Sequence, residues 1–377
     1  MVNTKKILVV GAGFAGATIG RILAENSYKV TIIDKRNHIG GNAYDYLNQR
    51  NERIHKYGPH LLHGNKDSQA IKFLSRFTSW VKYEHKVRAL LSNKKTTPLP
   101  VNRTTLEDVY NIKLKDEKKT KEFLDKIRVI KLIPKNCDEL FLSNVGEKLS
   151  NIFFRPYTKK MWGLDPKELK VGIGARLPVR TNIDDRYFTD SFQYLPINGY
   201  TFMFKNIIEH ENICIKLNTE FEKSMLNDYF HSFLCMPIDS YFNYCFGELP
   251  YRSLIFINKE KRNLRLDAPQ INFTDNSKFT RMSQWNLLPN CPNKNNYLNT
   301  ITYEQPVDIS LNKGEYYYPV QTPKSSEIYK KYKNISENYK NITFCGRTGL
   351  FRYIDMVPAV TLHMKIAHDF LSENKKE

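Results

Sequence analysis

The segment KKILVVGAGFAGATIG constrains the fold of this chain more than any other part of the sequence. An apolar run that predicts a buried strand leads directly into Gly11-Ala12-Gly13-Phe14-Ala15-Gly16, and apolar residues at helical spacing follow. In such a turn Gly11 permits the tight bend, Gly13 lets the backbone approach a pyrophosphate, and Gly16 lets the helix pack on the strand. The start of the helix then faces the phosphates with free N–H groups.

A second predicted strand, YKVTIID, ends at Asp34. An acid at this point of a strand–helix–strand unit can accept a hydrogen bond from a ribose hydroxyl group. Strand, glycine turn, helix, second strand and acid all fall within residues 5–34, which is close to the length that such a unit requires. The sequence therefore predicts a dinucleotide-binding unit at this end of the chain.

A second glycine pair, Gly40-Gly41, follows soon after Asp34, and a plain nicotinamide-binding unit does not need it. The pair could form a simple turn, or it could let the backbone pass close to a second part of an extended cofactor. The far end of the chain favours the second interpretation. FCGRTGLFRYIDMVPAV predicts a strand, a glycine turn and a helix, with Asp355 as its cap and Pro358 in its first turn. That helix start would suit the pyrimidine edge of a reduced flavin, so the two ends together predict FAD.

The remaining pattern divides the chain into segments of different type. Residues 100–170 are predicted to be mostly helical, whereas 175–195 and 240–320 have the short runs typical of strands. We therefore expect an α/β fold in which a discontinuous, Rossmann-like FAD-binding domain carries an inserted helical domain and an antiparallel β-sheet domain. The expected boundaries are 1–80, 196–240 and 330–377 for the FAD-binding domain, 81–170 for the helical domain with a substrate-closing loop, and 171–195 and 241–329 for the sheet domain.

Composition excludes several classes of protein. The 377 residues are 41% hydrophobic, as in globular proteins, and contain no apolar run of ~18 residues that predicts a membrane span. No signal peptide precedes the first strand, so we expect a cytoplasmic protein. Six scattered cysteines without C-x-x-C spacing, and His60 and His63 without a third ligand, predict no metal. The net charge of +19 is spread along the chain without a nucleic-acid-binding motif, so we expect a solvated basic surface and no nucleic acid.

Read together, the motifs of this chain resemble those of the prokaryotic UDP-galactopyranose mutases, nearly from end to end. The segments that carry the resemblance are, in order, RNHIGGNAY, HKYGPHLLH, PYTKKMWG, LPVRTNIDDRYF, PIDSYFNYCFG with YRSL, NFTD with FTR, YYYPV, and GR with RYIDM. The resemblance implies an isomerase that uses reduced FAD to interconvert the pyranose and furanose forms of a nucleotide-diphosphate sugar, such as UDP-galactose. It implies a flavin N5–sugar C1 adduct with no net redox change, a homodimer, a cellular reductant such as NAD(P)H or reduced flavin, and a place in polysaccharide biosynthesis.

The resemblance also implies roles for individual side chains. As catalytic residues it implies Arg180 and Arg281, whose planar forks suit a diphosphate, His63 facing the flavin, and Arg347. The substrate-binding residues that it implies are Phe153, Phe154 and Tyr157 around the uracil, Trp162 on the closing loop, and Tyr187, Arg252, Tyr318, Tyr353 and Asp355. The cofactor-binding residues are Gly11, Gly13, Phe14, Gly16, Asp34, Lys35, Gly41, Asn42, His60, Arg347 and Met356.

Some positions depart from the common pattern of that family. Gln284-Trp285 stand where many members have Glu-His, Val357-Pro358 where many have His-Gln, and Phe351 where a tyrosine is common. The sugar is therefore left open, with an N-acetylgalactosamine, deoxyhexose or heptose nucleotide as alternatives to UDP-galactose. Two alternatives from other classes are an FAD-dependent, amine oxidase-like oxidoreductase and a non-catalytic basic protein that binds nucleic acid.

Overall fold

The computed structural model describes residues 5–130, 133–174, 178–295 and 297–374. In chain order its strands are β1 (Lys6–Val10), β2 (Lys29–Ile33), β3 (Asp45–Leu47), β4 (Arg53–His55), β5 (Leu62–Gly64), β6 (Trp80–Lys82), β7 (Val87–Leu90), β8 (Thr96–Leu99), β9 (Phe192–Pro196), β10 (Ile213–Lys216), β11 (His231–Leu234), β12 (Tyr251–Arg262), β13 (Gln270–Phe273), β14 (Arg281–Gln284), β15 (Leu298–Asp308), β16 (Tyr318–Pro319) and β17 (Ile342–Phe344). Its α-helices are α1 (Phe14–Glu25), α2 (Gln69–Leu74), α3 (Arg103–Tyr110), α4 (Glu117–Ile127), α5 (Cys137–Leu149), α6 (Arg155–Trp162), α7 (Val171–Gly174), α8 (Tyr200–Ile208), α9 (Ile238–Tyr241), α10 (Pro323–Ser336), α11 (Gly346–Gly349) and α12 (Met356–Asn374). Across these ranges no helix combines the length and the apolar character needed to cross a lipid bilayer.

A five-stranded parallel sheet, in the order β10-β2-β1-β11-β17, is covered on both faces. In β1, Ile7 and Val9 join the apolar cluster under α1 and α12, whereas Leu8 and Val10 join a second cluster on the opposite face. Burial on both faces explains why the strand is a continuous apolar run. Because its strands come from three separated parts of the chain, the sheet confirms the predicted α/β fold with a discontinuous Rossmann-like unit.

A seven-stranded sheet, in the order β16-β12-β15-β14-β13-β7-β8, forms the second layer of the molecule. All its neighbouring strands are antiparallel except β13 and β7. Strands β7 and β8 lie in the segment that we expected to be helical from residue 81 onward, whereas helices α3 to α7 begin only at residue 103. Strand β9 pairs with β5 and β6 in a separate three-stranded sheet. Alternating short runs predict a strand, but they do not identify its partner.

Asp45 joins two distant segments of the nucleotide-binding part. It begins β3, and its carboxylate accepts hydrogen bonds from the backbone N–H groups of Tyr200 (2.9 Å) and Thr201 (2.8 Å) at the start of α8. The residue before α8 is Gly199, which has no side chain to cap the helix, so the cap comes from 155 residues away in the chain. Arg53 lies 3.7 Å from the same buried carboxylate.

We expect Asp45→Ala to lower the free energy of unfolding by about 3 kcal/mol, because it removes a helix cap and leaves the buried Arg53 guanidinium without its carboxylate. Urea denaturation followed by circular dichroism would measure the loss. Asp116→Ala is the matched control, since Asp116 caps α4 at the surface through the N–H of Lys119 and should cost only about 1 kcal/mol. Equal losses in the two variants would contradict the tethering role of Asp45.

Candidate active site

A cavity of about 590 Å³ opens at the carboxyl ends of the parallel strands. This edge is where open α/β sheets bind ligands, and the volume is within the usual range for a ligand cavity. Both ends of the chain line it, because residues 10–16 and 34–43 form one side and residues 346–363 contribute to the other. All the cofactor-binding residues inferred from the resemblance line this cavity: Gly11, Gly13, Phe14, Gly16, Asp34, Lys35, Gly41, Asn42, His60, Arg347 and Met356.

The second glycine pair packs against the first glycine-rich turn. Gly40 and Gly41 both have positive φ angles, of 88° and 54°. The N–H of Gly40 donates to the carbonyl of Ala12 (2.9 Å), and a Cβ atom on Gly41 would lie 3.0 Å from the Cα of Gly13. The two loops therefore meet backbone to backbone, which only glycine permits here. Both loops line the cavity with glycine backbone, which a pyrophosphate can approach closely.

The carboxylate of Asp34 is fixed at the end of β2. One oxygen accepts from the N–H of Ala12 (2.8 Å) and the other from the N–H of Arg36 (2.9 Å). A carboxylate has about four acceptor positions, so further hydrogen bonds from a ribose remain possible. Nearby, Lys35 donates to the carbonyl of Gly314 (2.7 Å) and holds the 314–316 loop over this end of the cavity. The residues present thus fit a bound dinucleotide.

The start of α12 lines the other end of the same cavity through Met356 and Ala359. Asp355 directly precedes the helix and accepts a hydrogen bond from the hydroxyl of Tyr353 (2.7 Å), and Pro358 stands in the first turn as predicted. The first N–H groups of a helix carry partial positive charge. This end of the cavity can therefore stabilise a negatively charged ring edge.

A second cavity, of about 470 Å³, adjoins the first. Four residues line both cavities: Asn42, His60, Arg347 and Met356. They come from separate parts of the chain and mark the place where the two cavities adjoin. The second cavity is also lined by Phe153, Phe154, Tyr157, Trp162, Tyr187, Arg281, Tyr318, Tyr353, Asp355 and His63, all of which were inferred from the resemblance.

One side of the second cavity is an aromatic pocket. Phe154 stacks on Phe141 with ring centroids 4.9 Å apart, and Phe153 meets Phe154 edge to face at 6.5 Å. Phe153 and Phe154 belong to a π-helical turn, Ser150–Phe154, between α5 and α6. Such turns shift the side chains out of regular helical spacing and are frequent at functional sites. Stacked rings of this kind can hold a flat nucleobase.

Arg281 lines this cavity together with a second arginine, Arg347. Its guanidinium contacts Glu304, the residue directly opposite on β15, at 2.7 Å. Burial lowers the pKa of Arg281, but Glu304, Tyr157 and Tyr318 raise it more, so the pKa lies well above its usual value and the group stays charged. Its Nε atom is buried without a hydrogen-bond partner. A charged guanidinium that lines a ligand-sized cavity is suited to bind an anion.

Aromatic rings connect the end of α6 to Arg347. Trp162 lies 5.9 Å from Tyr318, and Tyr318 stacks on Tyr353 at 5.8 Å, measured between ring centroids. The guanidinium carbon of Arg347 lies 4.7 Å from the ring centroid of Tyr353, a cation–π contact. Arg347 also donates to the carbonyls of Tyr317 (3.0 Å) and Ile354 (3.1 Å), which fix it in the wall between the cavities.

Of the two histidines in GPHLLH, it is His60 that lines both cavities, whereas His63 lines only the second. Burial lowers the pKa of His60 to about 3, so the ring is neutral. Its Nδ1 lies 2.8 Å from the carbonyl of Gly58, which can only accept, so Nδ1 carries the proton. His63 instead pairs with Asp190 at 2.9 Å and stacks on Phe188 at 3.7 Å. His60 was inferred to bind the cofactor and His63 to face the flavin, and each of them lines at least one of the two cavities.

Two arginines inferred to contact the substrate do not line the second cavity. Arg180 is buried and donates to the backbone carbonyls of Asp184 (3.1 Å) and Arg186, within the loop that leads to Tyr187. Arg252 donates from β12 to the carbonyls of Met161 (3.1 Å) and Lys160 (3.3 Å) at the end of α6. Both guanidinium groups face backbone oxygens, and a single sequence does not distinguish such an arginine from one that faces a ligand.

The departures from the family pattern lie mostly in the core. Gln284 bonds with its side chain to the backbone of Leu264 and Leu266, and the indole N–H of Trp285 donates to Thr302 (2.7 Å). Both side chains are buried, and neither lines a cavity. Phe351 and Val357 are buried as well, Val357 against Gly64. These four side chains therefore pack inside the protein.

Several residues that shape the second cavity were missed in the sequence. They are Phe141, His85, Gln270, Asn272 and Glu304. The one with a visible signal is Glu304, a charged residue inside the apolar strand pattern YLNTITYE, which indicates a buried partner. The others stand in ordinary helix and strand patterns, where a residue facing a cavity looks like a residue facing the core.

Comparison with known proteins agrees with the geometry. The sequence model of UDP-galactopyranose mutase matches residues 152–353, and that of an NAD(P)-binding Rossmann-like domain matches residues 9–77. A probable UDP-galactopyranose mutase of Klebsiella pneumoniae is 34% identical over 98% of this chain and 96% of its own length. The dTDP-fucopyranose mutase of Escherichia coli is 32% identical over 98% of this chain and all of its own length.

Solved structures show the same fold at lower identity. Reduced UDP-galactopyranose mutase superposes with a TM-score of 0.75 at 16% identity, over 98% of this chain and 96% of that one. A putrescine oxidase superposes with a TM-score of 0.55 at 12% identity, over 98% and 99% of the two chains. Enzymes of different chemistry thus share this architecture, so the fold alone does not identify the family. The sequence relatives do identify it, because they are mutases. The chain belongs to the UDP-galactopyranose mutase family, whose members are isomerases.

Proposed function

We propose that this protein is an FAD-dependent mutase that interconverts the pyranose and furanose forms of a nucleoside-diphosphate sugar. The observation that carries the proposal is the position of Arg281, a partly buried cation that lines the second cavity together with the aromatic pocket and the four residues shared with the dinucleotide cavity. A base in the aromatic pocket and a diphosphate at Arg281 would direct the sugar toward His60 and Arg347. This arrangement presents the anomeric carbon to whatever occupies the first cavity.

The chain's own residues would bind, orient and shield the reactants. Arg281 offers its positive charge to a leaving diphosphate that gains negative charge, and the tyrosines around it add neutral donors. Trp162, Tyr318 and Tyr353 cover the same region and exclude water. When bound, reduced FAD supplies an electron-rich nucleophile for the anomeric carbon. The neutral ring of His60 adds no positive charge beside it.

The relatives narrow the choice of sugar without fixing it. Relatives named for UDP-galactopyranose and for dTDP-fucopyranose match this chain over the same extent, at 34% and 32% identity. The proposal therefore covers UDP-galactose first and a deoxyhexose nucleotide second. An oxidase function has only the shared fold in its favour, because an amine substrate would meet the positive charge of Arg281.

The proposal includes further features of such an enzyme. It would work in the cytoplasm as a homodimer, with NAD(P)H or a reduced flavin as the source of electrons for its FAD. Arg180 would act by holding the 180–186 loop, and thereby Tyr187, instead of touching the diphosphate itself. The basic surface would remain free of nucleic acid.

Assay of the purified protein tests the function directly. After reduction with dithionite it should convert UDP-galactose or dTDP-fucose to the furanose form, as resolved by chromatography, and the oxidised protein should not. Each nucleotide sugar is offered singly, so that the preferred base and sugar are read from the relative kcat/KM values. Consumption of oxygen with an amine, or conversion at an equal rate with the flavin oxidised, would overturn the proposal.

Arg281→Gln should lower kcat/KM by about 10²–10³-fold, because it removes the charged donor that stabilises the leaving diphosphate. Flavin absorbance per protein should stay at the parental level, since Arg281 lines only the second cavity. Arg262→Gln, at the exposed end of β12, is the matched control and should retain full activity. Parental turnover in Arg281→Gln would show that the diphosphate binds elsewhere.

Gly41→Ala should bind FAD about tenfold more weakly. The new Cβ atom would lie 3.0 Å from the Cα of Gly13, and the φ angle of 54° costs a residue with a side chain about 1–2 kcal/mol. Titration of the deflavinated protein with FAD would measure the change. Gly172→Ala is a suitable control, because no atom lies within 4 Å of the added Cβ. If Gly41→Ala bound FAD as tightly as the parent, the close approach of the two loops would not serve the cofactor.

A further inference from the structure

Two cations fasten helix α6 to the seven-stranded sheet, and they reach in opposite directions. The first is Lys160 on the helix, whose Nζ donates to the carbonyls of Phe273 (2.9 Å) and Phe279 (2.8 Å). Those carbonyls flank the turn between β13 and β14. Burial lowers the pKa of the Lys160 ammonium, while Asp275, 3.7 Å away in the same turn, opposes that effect. The ammonium thus bridges both sides of the hairpin.

The second cation is Arg252 on β12, which reaches back to the helix. Its Nε and Nη2 donate to the carbonyls of Met161 and Lys160, two of the groups that a helix end leaves without internal partners. Gly163 follows with a φ angle of 70°, and a Cβ atom there would lie 3.0 Å from Nη1 of Arg252. The guanidinium therefore fills the space beside the end of the helix.

An apolar contact lies between the two cations. Met161 is buried in a cluster with Tyr57, Leu254 and Tyr317. Three kinds of contact therefore hold the end of α6: the hydrogen bonds of the Lys160 ammonium, the packing of Met161, and the hydrogen bonds that Arg252 donates to the carbonyls of residues 160 and 161. A helix of eight residues would be marginal without such contacts, so its position depends on them.

These contacts connect the two parts of the proposed nucleotide site. Tyr157, in the aromatic pocket, lies three residues before Lys160 on the same helix, about one turn away. Arg281 begins β14 two residues after Phe279, whose carbonyl Lys160 binds. The Lys160 side chain therefore links the helix that carries Tyr157 to the turn that leads to Arg281. Neither Lys160 nor Arg252 lines the cavity.

We propose that Lys160 and Arg252 are positioning residues that set the distance between the nucleobase pocket and Arg281, and so make the site selective for nucleoside diphosphates. The inference rests on the proposed function for the location of base and diphosphate. If the nucleobase pocket shifts relative to Arg281, each of them stays intact. A ligand that contains both a base and a diphosphate, however, can no longer make its contacts with both at once. The loss should therefore appear in ligands that contain base and diphosphate, and not in the nucleoside alone.

The test is a comparison of affinities for uridine and UDP in Lys160→Met, measured by calorimetry on the FAD-loaded protein. If the parent prefers the thymine nucleotide, thymidine and dTDP replace them. We expect the affinity for UDP to fall about tenfold while the affinity for uridine stays within about twofold. Lys159→Met is the control, because Lys159 is exposed on the same helix and its loss changes the net charge equally.

Equal losses of affinity for uridine and UDP would overturn the inference, because they would mean that Lys160 only maintains the base pocket. Unchanged affinity for both ligands would also overturn it. Lys160→Gln keeps an uncharged amide donor group. If Lys160→Met gives no soluble flavoprotein, the ratio of the UDP and uridine affinities is measured on Lys160→Gln and decides the question. The measurement does not depend on turnover. A parent protein that binds UDP but isomerises no sugar would refute the proposed function and leave this inference standing.

Discussion

The positive charge of Arg281 inside the molecule is the constraint around which the second cavity is built. A buried guanidinium without a partner would be strongly destabilising. Glu304 stands directly opposite on β15 and supplies the countercharge, and the tyrosines nearby hold the arginine further in its charged form. The strand pairing that aligns these two residues therefore keeps a charged guanidinium stable in the wall of the cavity.

The same reasoning explains why the cofactor cavity is assembled from both ends of the chain. The carboxyl edge of a parallel sheet is a single place in space, but its strands here come from residues 6–33, 213–234 and 342–344. The glycine turns of the first segment and the start of α12 from the last therefore meet across one cleft. Asn42, His60, Arg347 and Met356 line both this cavity and the second one. Under the proposed function, the cofactor and the substrate would meet beside these four residues.

Local sequence patterns were enough to predict the residues of the dinucleotide cavity, whereas the second cavity depends on tertiary contacts that such patterns do not show. The glycine turn, Asp34 and the C-terminal helix carry their roles in sequence order, because each role belongs to a single loop or helix end. Arg180 and Arg252 do not line the second cavity, because the guanidinium of Arg180 donates to carbonyls of its own loop and that of Arg252 to carbonyls at the end of α6. Likewise, β7 and β8 were assigned to the helical segment because their alternation is short. They pair with each other, and only β7 joins the rest of the sheet, through β13 about 180 residues away.

Most of the substitutions that set this chain apart from the common family pattern are buried. Gln284, Trp285 and Phe351 are buried in the core, so they alter packing and not the surface that a sugar would touch. Under the proposed function, selectivity must arise from the polar side chains of the cavity wall, among them Gln270 and Asn272, which bond to each other at 2.9 Å. A site that binds a hydroxyl group rejects an analogue without it, because the buried partner is then left unpaired. The choice between galactose and a deoxyhexose therefore depends on whether these amides need a hydroxyl to complete their hydrogen bonds.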